Sequence, residues 1–111
     1  AKAVDNSTNT NTGHTVTATL VSEIKINALA DGSAMAMNKD GRYLVFVDNG
    51  TTGALYRETS ASDSSPTLLT TISKEDSRGI DVVADSTENK YYMIYPAAAG
   101  PMVGVTVFYD E

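Results

Sequence analysis

"TLLTTISK", residues 67–74, restates "TLVSEIKI", residues 19–26, and that restatement decides the fold. With the sequence slid against itself by 48 residues, Thr19, Leu20 and Ile24 fall on Thr67, Leu68 and Ile72. The same offset carries "SAMAM" (33–37) onto "DVVAD" (81–85) and "RYLVFV" (42–47) onto "KYYMIY" (90–95), with Arg42 on Lys90 and Tyr43 on Tyr91. Inserted residues in the loop "PAAAGPM" move the offset to 53, where "YRE" (56–58) meets "YDE" (109–111). Runs that match in the same order with a single indel make a tandem repeat.

Each unit reads as four β-strands. "YLVFV" and "YYMIY" are apolar at consecutive positions, as expected of strands covered on both faces, and so are inner strands of their sheets. "TLVSEIKI" alternates, with Leu20, Ser22, Ile24 and Ile26 against Val21, Glu23 and Lys25, which suits an outer or edge strand. The joints are tight. "NKDGR" (38–42) carries the Asp-Gly hairpin signal, and "DSTENK" (85–90) occupies the same place in the second unit. No run has the length and period of a helix, since "ALADGSAMAM" (28–37) is broken by Asp31 and Gly32. The fold class is therefore all-β. Residues 1–13 are polar and aperiodic and read as a flexible arm, followed by one two-repeat β domain over 14–111, with repeats of about 19–66 and 67–111.

Composition narrows the function. The chain has 111 residues, 41% of them hydrophobic, enough for one packed core and too few for two. Net charge is −6 with scattered lysines and arginines, which argues against nucleic acid and anionic membrane surfaces. The apolar runs fall far short of the roughly 20 residues needed to span a bilayer. There is no cysteine, so disulfide scaffolds, zinc ribbons and thiol chemistry are excluded.

A four-stranded sheet of this kind needs a neighbour on each face, and two such units do not close. Propellers have about 4 to 8 blades around an axis, so two repeats per chain imply a cyclic homo-oligomer, with a six-bladed trimer favoured. The second unit runs "DVVAD", "KYYMIY", "GVTVFYDE", and its fourth strand is supplied in kind by "TLVSEIKI", from the same chain or from a neighbour. The alternative is a self-contained β-sandwich in which the repeat is an evolutionary relic.

The stretch "YLVFVDNGTTGALYRE" (43–58) resembles the Arg-Val-Tyr-Tyr-Gln-Asp, Asn-Gly, Ile-x-Glu-Tyr pattern of the fungal fucose-specific lectins, and the resemblance spans roughly residues 19–111. It implies a six-bladed propeller, completed in two-blade bacterial relatives by trimerisation. It also implies sugar sites in which an arginine on the inner strand and a glutamate on the next hold hydroxyls while an aromatic ring covers the sugar's apolar face. The glutamates map onto Glu58 and Glu111. The arginine position holds Tyr43 and Tyr91 instead, and the chain has no tryptophan, so fucose itself is not specified.

Sugar binding needs planar hydrogen-bonding partners and an aromatic plate. Glu58 with Arg57 and Tyr56, and Glu111 with Tyr109, are the ligand-binding candidates, expected at equivalent places in the two units. Their structural reading is a solvated pair at a strand end. Tyr43, Tyr91, Tyr92 and Tyr95 are expected to pack between units. Asp85, Thr87 and Asn89 have the alternate spacing of a calcium loop, but its glycine and closing glutamate are missing, so this is a hairpin turn and no metal site or cofactor is expected. His14 is the lone histidine and no G-x-S-x-G elbow occurs, which argues against an enzyme. Asn6 and Asn49 stand in Asn-x-Thr sequons. The expected function is a secreted or extracellular carbohydrate-binding protein, multivalent through assembly. A structural or protein-interaction domain that binds no sugar is the alternative, and a piece of a longer propeller enzyme a third.

Overall fold

The computed structural model describes residues 16–21, 23–26, 31–59 and 65–110. Residues 1–13, His14 and Glu111 lie outside the described residues. Among the described residues seven strands follow one another: β1 (Gly32–Met37), β2 (Tyr43–Asp48), β3 (Thr52–Arg57), β4 (Thr67–Ser73), β5 (Asp81–Ala84), β6 (Lys90–Pro96) and β7 (Val103–Tyr109). They form two antiparallel meanders, a first sheet in the order β1-β2-β3-β4 and a second in the order β5-β6-β7. Among the described residues there is no helix. The protein is all-β, and the strands fall on the runs read from the sequence, with one exception. Residues 19–21 and 23–26 lie in no strand of this chain. A strand exists only against a ladder partner, and these described residues of "TLVSEIKI" have none among the described residues.

The turns explain the meander. Asn38 opens the β1–β2 hairpin: its Oδ1 accepts from the N–H groups of Asp40 and Arg42, and Gly41 takes the positive φ of 80° that closes the turn. In the β5–β6 hairpin Asp85 plays the same part, accepting from the Thr87 N–H and hydroxyl and from the Glu88 N–H. Those bonds hold its carboxyl below the ordinary aspartate range, the Thr87 N–H contributing most. The carboxylate of "DSTENK" thus closes a turn.

The core lies between the sheets. Leu44, Phe46 and Leu55 of the first meet Val82, Tyr91, Met93 and Tyr95 of the second, with Ala34, Ile72 and Phe108 packed around them. Phe46 and Tyr95 cross edge to face, and Tyr91 stacks on Phe108. Ala34 and Ala36 in β1 and Val82 and Ala84 in β5 are small, which brings the first strands of the two sheets close together.

The two sheets do not meet through equivalent faces. In β2 the even-numbered residues bond to β1, as Arg42 does in accepting from the Asn38 N–H at 2.8 Å, and these are the ones, Leu44 and Phe46, that enter the core. In β6 the even-numbered residues again bond to the preceding strand, Lys90 accepting from the Asp85 N–H at 3.0 Å. Here, however, the odd-numbered Tyr91, Met93 and Tyr95 enter the core. For an L-residue the side to which its N–H points fixes the face on which its side chain stands. The face that the first sheet buries is therefore the counterpart of the face that the second sheet turns outward, and the sheets stack head to tail.

The ladders also correct the repeat alignment. Leu44 pairs with Ala36, whereas Tyr92, its counterpart in β6, pairs with Val83. Ala36 thus corresponds to Val83 and not to Ala84, because the β5–β6 hairpin has one connecting residue more between its bonded pairs (Asp85 with Lys90) than its β1–β2 counterpart (Asn38 with Arg42). On the other flank Val45 pairs with Tyr56, while its counterpart Met93 pairs with Thr106. Tyr56 and Tyr109 consequently occupy different ladder positions, contrary to the equivalence expected from "YRE" and "YDE".

Candidate functional site

Polar side chains from five segments converge at one end of the inter-sheet core, where the two hairpins and the ends of β3 and β7 come together. Arg57, the last residue of β3, sends one guanidinium nitrogen to both carboxylate oxygens of Asp110 just beyond β7, the longer contact being 2.6 Å. The Tyr91 hydroxyl donates to Asp110 at 2.9 Å and accepts from Asn38 Nδ2 at 3.0 Å. Asn89 Nδ2 donates to Asp40 at 3.3 Å, which ties the tips of the two hairpins together. Burial of Tyr91 pushes its phenol above the ordinary tyrosine value of 10.0, and the Asp110 carboxylate adds to the rise. Asp40 is held below the usual range, chiefly by Lys39 and then by Asn89. The cluster is self-satisfied: each carboxylate already faces a cation or a neutral donor, and Tyr91 stays protonated as the donor between them. Chemically it is a clasp between two sheets.

The residues singled out from sequence separate in space. Arg57 belongs to the clasp. Glu58 is buried at 4% exposure, and its Oε1 accepts from the Tyr43 N–H at 3.1 Å, so its carboxylate secures the start of β2. Tyr56 is half-buried on the outer face of the first sheet, opposite Val45 and Leu68. Tyr109 is exposed on the outer face of the second sheet, where the Lys90 ammonium stands 5.5 Å from its ring and 5.3 Å from that of Tyr92. Glu111 lies outside the described residues. The two tyrosines are therefore on opposite outer faces of the stack. Asn38 and Asp110 were missed. Asp110 could have been found, because it lies an even number of residues from the core residue Phe108 and so shares its face.

A second buried polar centre sits at the opposite end of the sheets. Lys74 follows β4 directly, and its ammonium is fully buried, 2.9 Å from the Asp48 carboxylate and within 2.7–2.8 Å of the carbonyls of Gly50, Glu75 and Ser77. Asp48 also accepts from the Gly50 N–H. One lysine thereby pins the β2–β3 turn to the segment that leads into the second sheet. Nothing in the sequence flags it, since its counterpart in the repeat is Ile26. Among the described residues no group of three or more His, Cys, Asp or Glu side chains could hold a metal ion.

The least ordinary surfaces are the outer faces. On the second sheet Val83, Val103, Val105, Val107 and Tyr109 are exposed side by side, with a hollow of about 450 Å³ at one end between Ile94, Pro101, Met102 and Val103. On the first sheet Met35, Met37 and Leu68 are exposed. A hollow of about 450 Å³ opens there as well, bordered by Met35, Val45 and Val47 and by Glu23, Ile24 and Ile26 of the segment before β1. Each end of the stack is apolar. Comparisons of this chain with protein-family models, with curated proteins and with solved structures return no match.

Proposed function

We propose that this chain is a non-catalytic assembly module, a two-blade unit that stacks head to tail with further copies into a closed propeller ring. One observation carries the reading: the apolar face that the second sheet turns outward is the counterpart of the face that the first sheet buries in the core. A second copy offers that face the same kind of surface that it meets within the chain, so the interface between copies repeats the interface between sheets. Such head-to-tail contacts are heterologous and form either a closed ring or an open filament. A ring of three copies would have six blades, a common propeller size. Light scattering on the purified chain tests the reading, with three times the monomer mass expected. A stable monomer at micromolar concentration would overturn it.

Glycan binding by that ring is the second reading, favoured by Tyr109. Its exposed ring lies beside Lys90 at the margin of the face between copies, where an aromatic plate and a charged donor could receive a sugar. The resemblance to fucose-specific lectins points the same way, and several identical sites on a rigid ring would give avidity for clustered glycans. A glycan array comparing the parent chain with Tyr109→Ala tests this. An array that stays blank with intact oligomer leaves the assembly module standing without a sugar ligand.

A further inference from the structure

The open edge of β7 has a specific occupant. In the first sheet the fourth place is filled by β4, paired antiparallel with β3, whereas among the described residues β7 is paired only with β6. The described residues of the segment that restates β4, 19–21 and 23–26, lie in no strand of their own chain. We infer that residues 19–26 of one copy pair with β7 of a neighbouring copy and complete its sheet, a strand donation that rests on the ring reading.

The connectivity selects a second copy as the acceptor. After β4 the chain passes through Lys74 and reaches β5, the first strand of the sheet stacked on the inner face. A link of similar length joins Ile26 to β1. By the same geometry residues 19–26 belong to a sheet that precedes the first one and lies on its outer face. Glu23, Ile24 and Ile26 do border that face, across the hollow from Met35, Val45 and Val47. The chain's own β7 lies in the sheet on the opposite face. Only another copy's second sheet, docked on the outer face, brings an open β7 edge to this segment.

The register follows from β3 and β4. Gly53 faces Ile72 and Thr52 faces Ser73. Transferred through the ladders, Ile24 stands opposite Val103 of the acceptor and Lys25 opposite Met102. Ile24 then covers Ile94 and Val103 on the outer face, as Ile72 covers Phe46 and Gly53 in the core. Main-chain bonds supply affinity and the alternate apolar side chains supply register, as in other strand additions.

The absence of cysteine makes the test clean. Lys25→Cys and Met102→Cys chains are prepared separately, mixed, allowed to exchange subunits and oxidised mildly, with Lys25→Cys mixed with Val107→Cys as the off-register control. Light scattering is run on the same samples. The expected result is a disulfide-linked pair of chains in the first mixture, formed at least roughly tenfold faster than in the control, since disulfides demand close Cα atoms. Intact oligomer with no preference for the Lys25–Met102 pair overturns strand donation and leaves the ring. Monomer throughout overturns both. A disulfide that closes within single chains of the Lys25→Cys, Met102→Cys double variant assigns the strand to its own chain and overturns the donation.

Discussion

Phe46 and Tyr95 meet edge to face across the two sheets, ring centroids 6.2 Å apart, and each ring lies over a glycine of its own sheet. A Cβ on Gly53 would stand 2.7 Å from the Phe46 ring, and one on Gly104 would stand 2.6 Å from the Tyr95 ring. The glycines are there to let the aromatics lie flat on the sheet. Gly53→Ala and Gly104→Ala are each expected to lower stability by about 1–3 kcal/mol, the cost of forcing a methyl into a packed core. Urea denaturation of the variants checks this, and Gly32→Ala, where a Cβ meets nothing within 4 Å, serves as the control.

Lys74 and Asp48 form a buried pair in which neither partner can be spared alone. Lys74→Met leaves the Asp48 carboxylate buried without its cation, and about 3–5 kcal/mol of stability is expected to be lost. Exchanging both, Lys74→Met with Asp48→Asn, should cost less than the single change, because no uncompensated charge remains. A double-mutant cycle by thermal or chemical unfolding measures the difference.

Tyr91 gives the fold an alkaline limit. Its folded pKa is raised above the unfolded value of 10.0, so its contribution is complete below that pH and is lost as pH rises through the folded pKa. Unfolding midpoints measured from about pH 8 to pH 11 should fall at the alkaline end. Tyr91→Phe should flatten that slope, while lowering stability at neutral pH by about 1–3 kcal/mol through the partners it leaves on Asn38 and Asp110.

Arg57 separates the clasp from a sugar site. Because its guanidinium is engaged by Asp110, Arg57→Ala is expected to cost about 1–2 kcal/mol of stability as a part-buried charge-assisted bond is removed. Asp110→Ala should have a similar effect, and the double variant should show strong coupling between the two. Thermal unfolding of the three variants reads this directly.

The outer face of the second sheet is expected to tolerate a charge in the monomer and to forbid it in the assembly. Val105 is 58% exposed in the single chain, so Val105→Lys should change monomer stability by no more than about 0.5 kcal/mol. The same change should shift the chain to monomer in light scattering, with an unaltered β-type circular dichroism spectrum.

The sequence by itself determined the strands and their order. Consecutive apolar runs at 43–47 and 91–95, the Asp-Gly turn and the internal repeat are local features, and local hydrogen-bonding and steric rules suffice to turn them into hairpins. Only the tertiary structure decided phase and partnership. One residue of difference between the hairpins after Met37 and Ala84 shifts a whole strand to its other face, and no propensity reveals which loop is shorter on its bonded pairs. The burial of Glu58, the capture of Arg57 by Asp110 and the enclosure of Lys74 depend on segments far apart in the chain, because the groups that neutralise a buried charge are chosen by packing and not by sequence distance. "TLVSEIKI" shows the boundary most sharply: its strand pattern is written in the residues, but a strand's existence depends on the edge it meets.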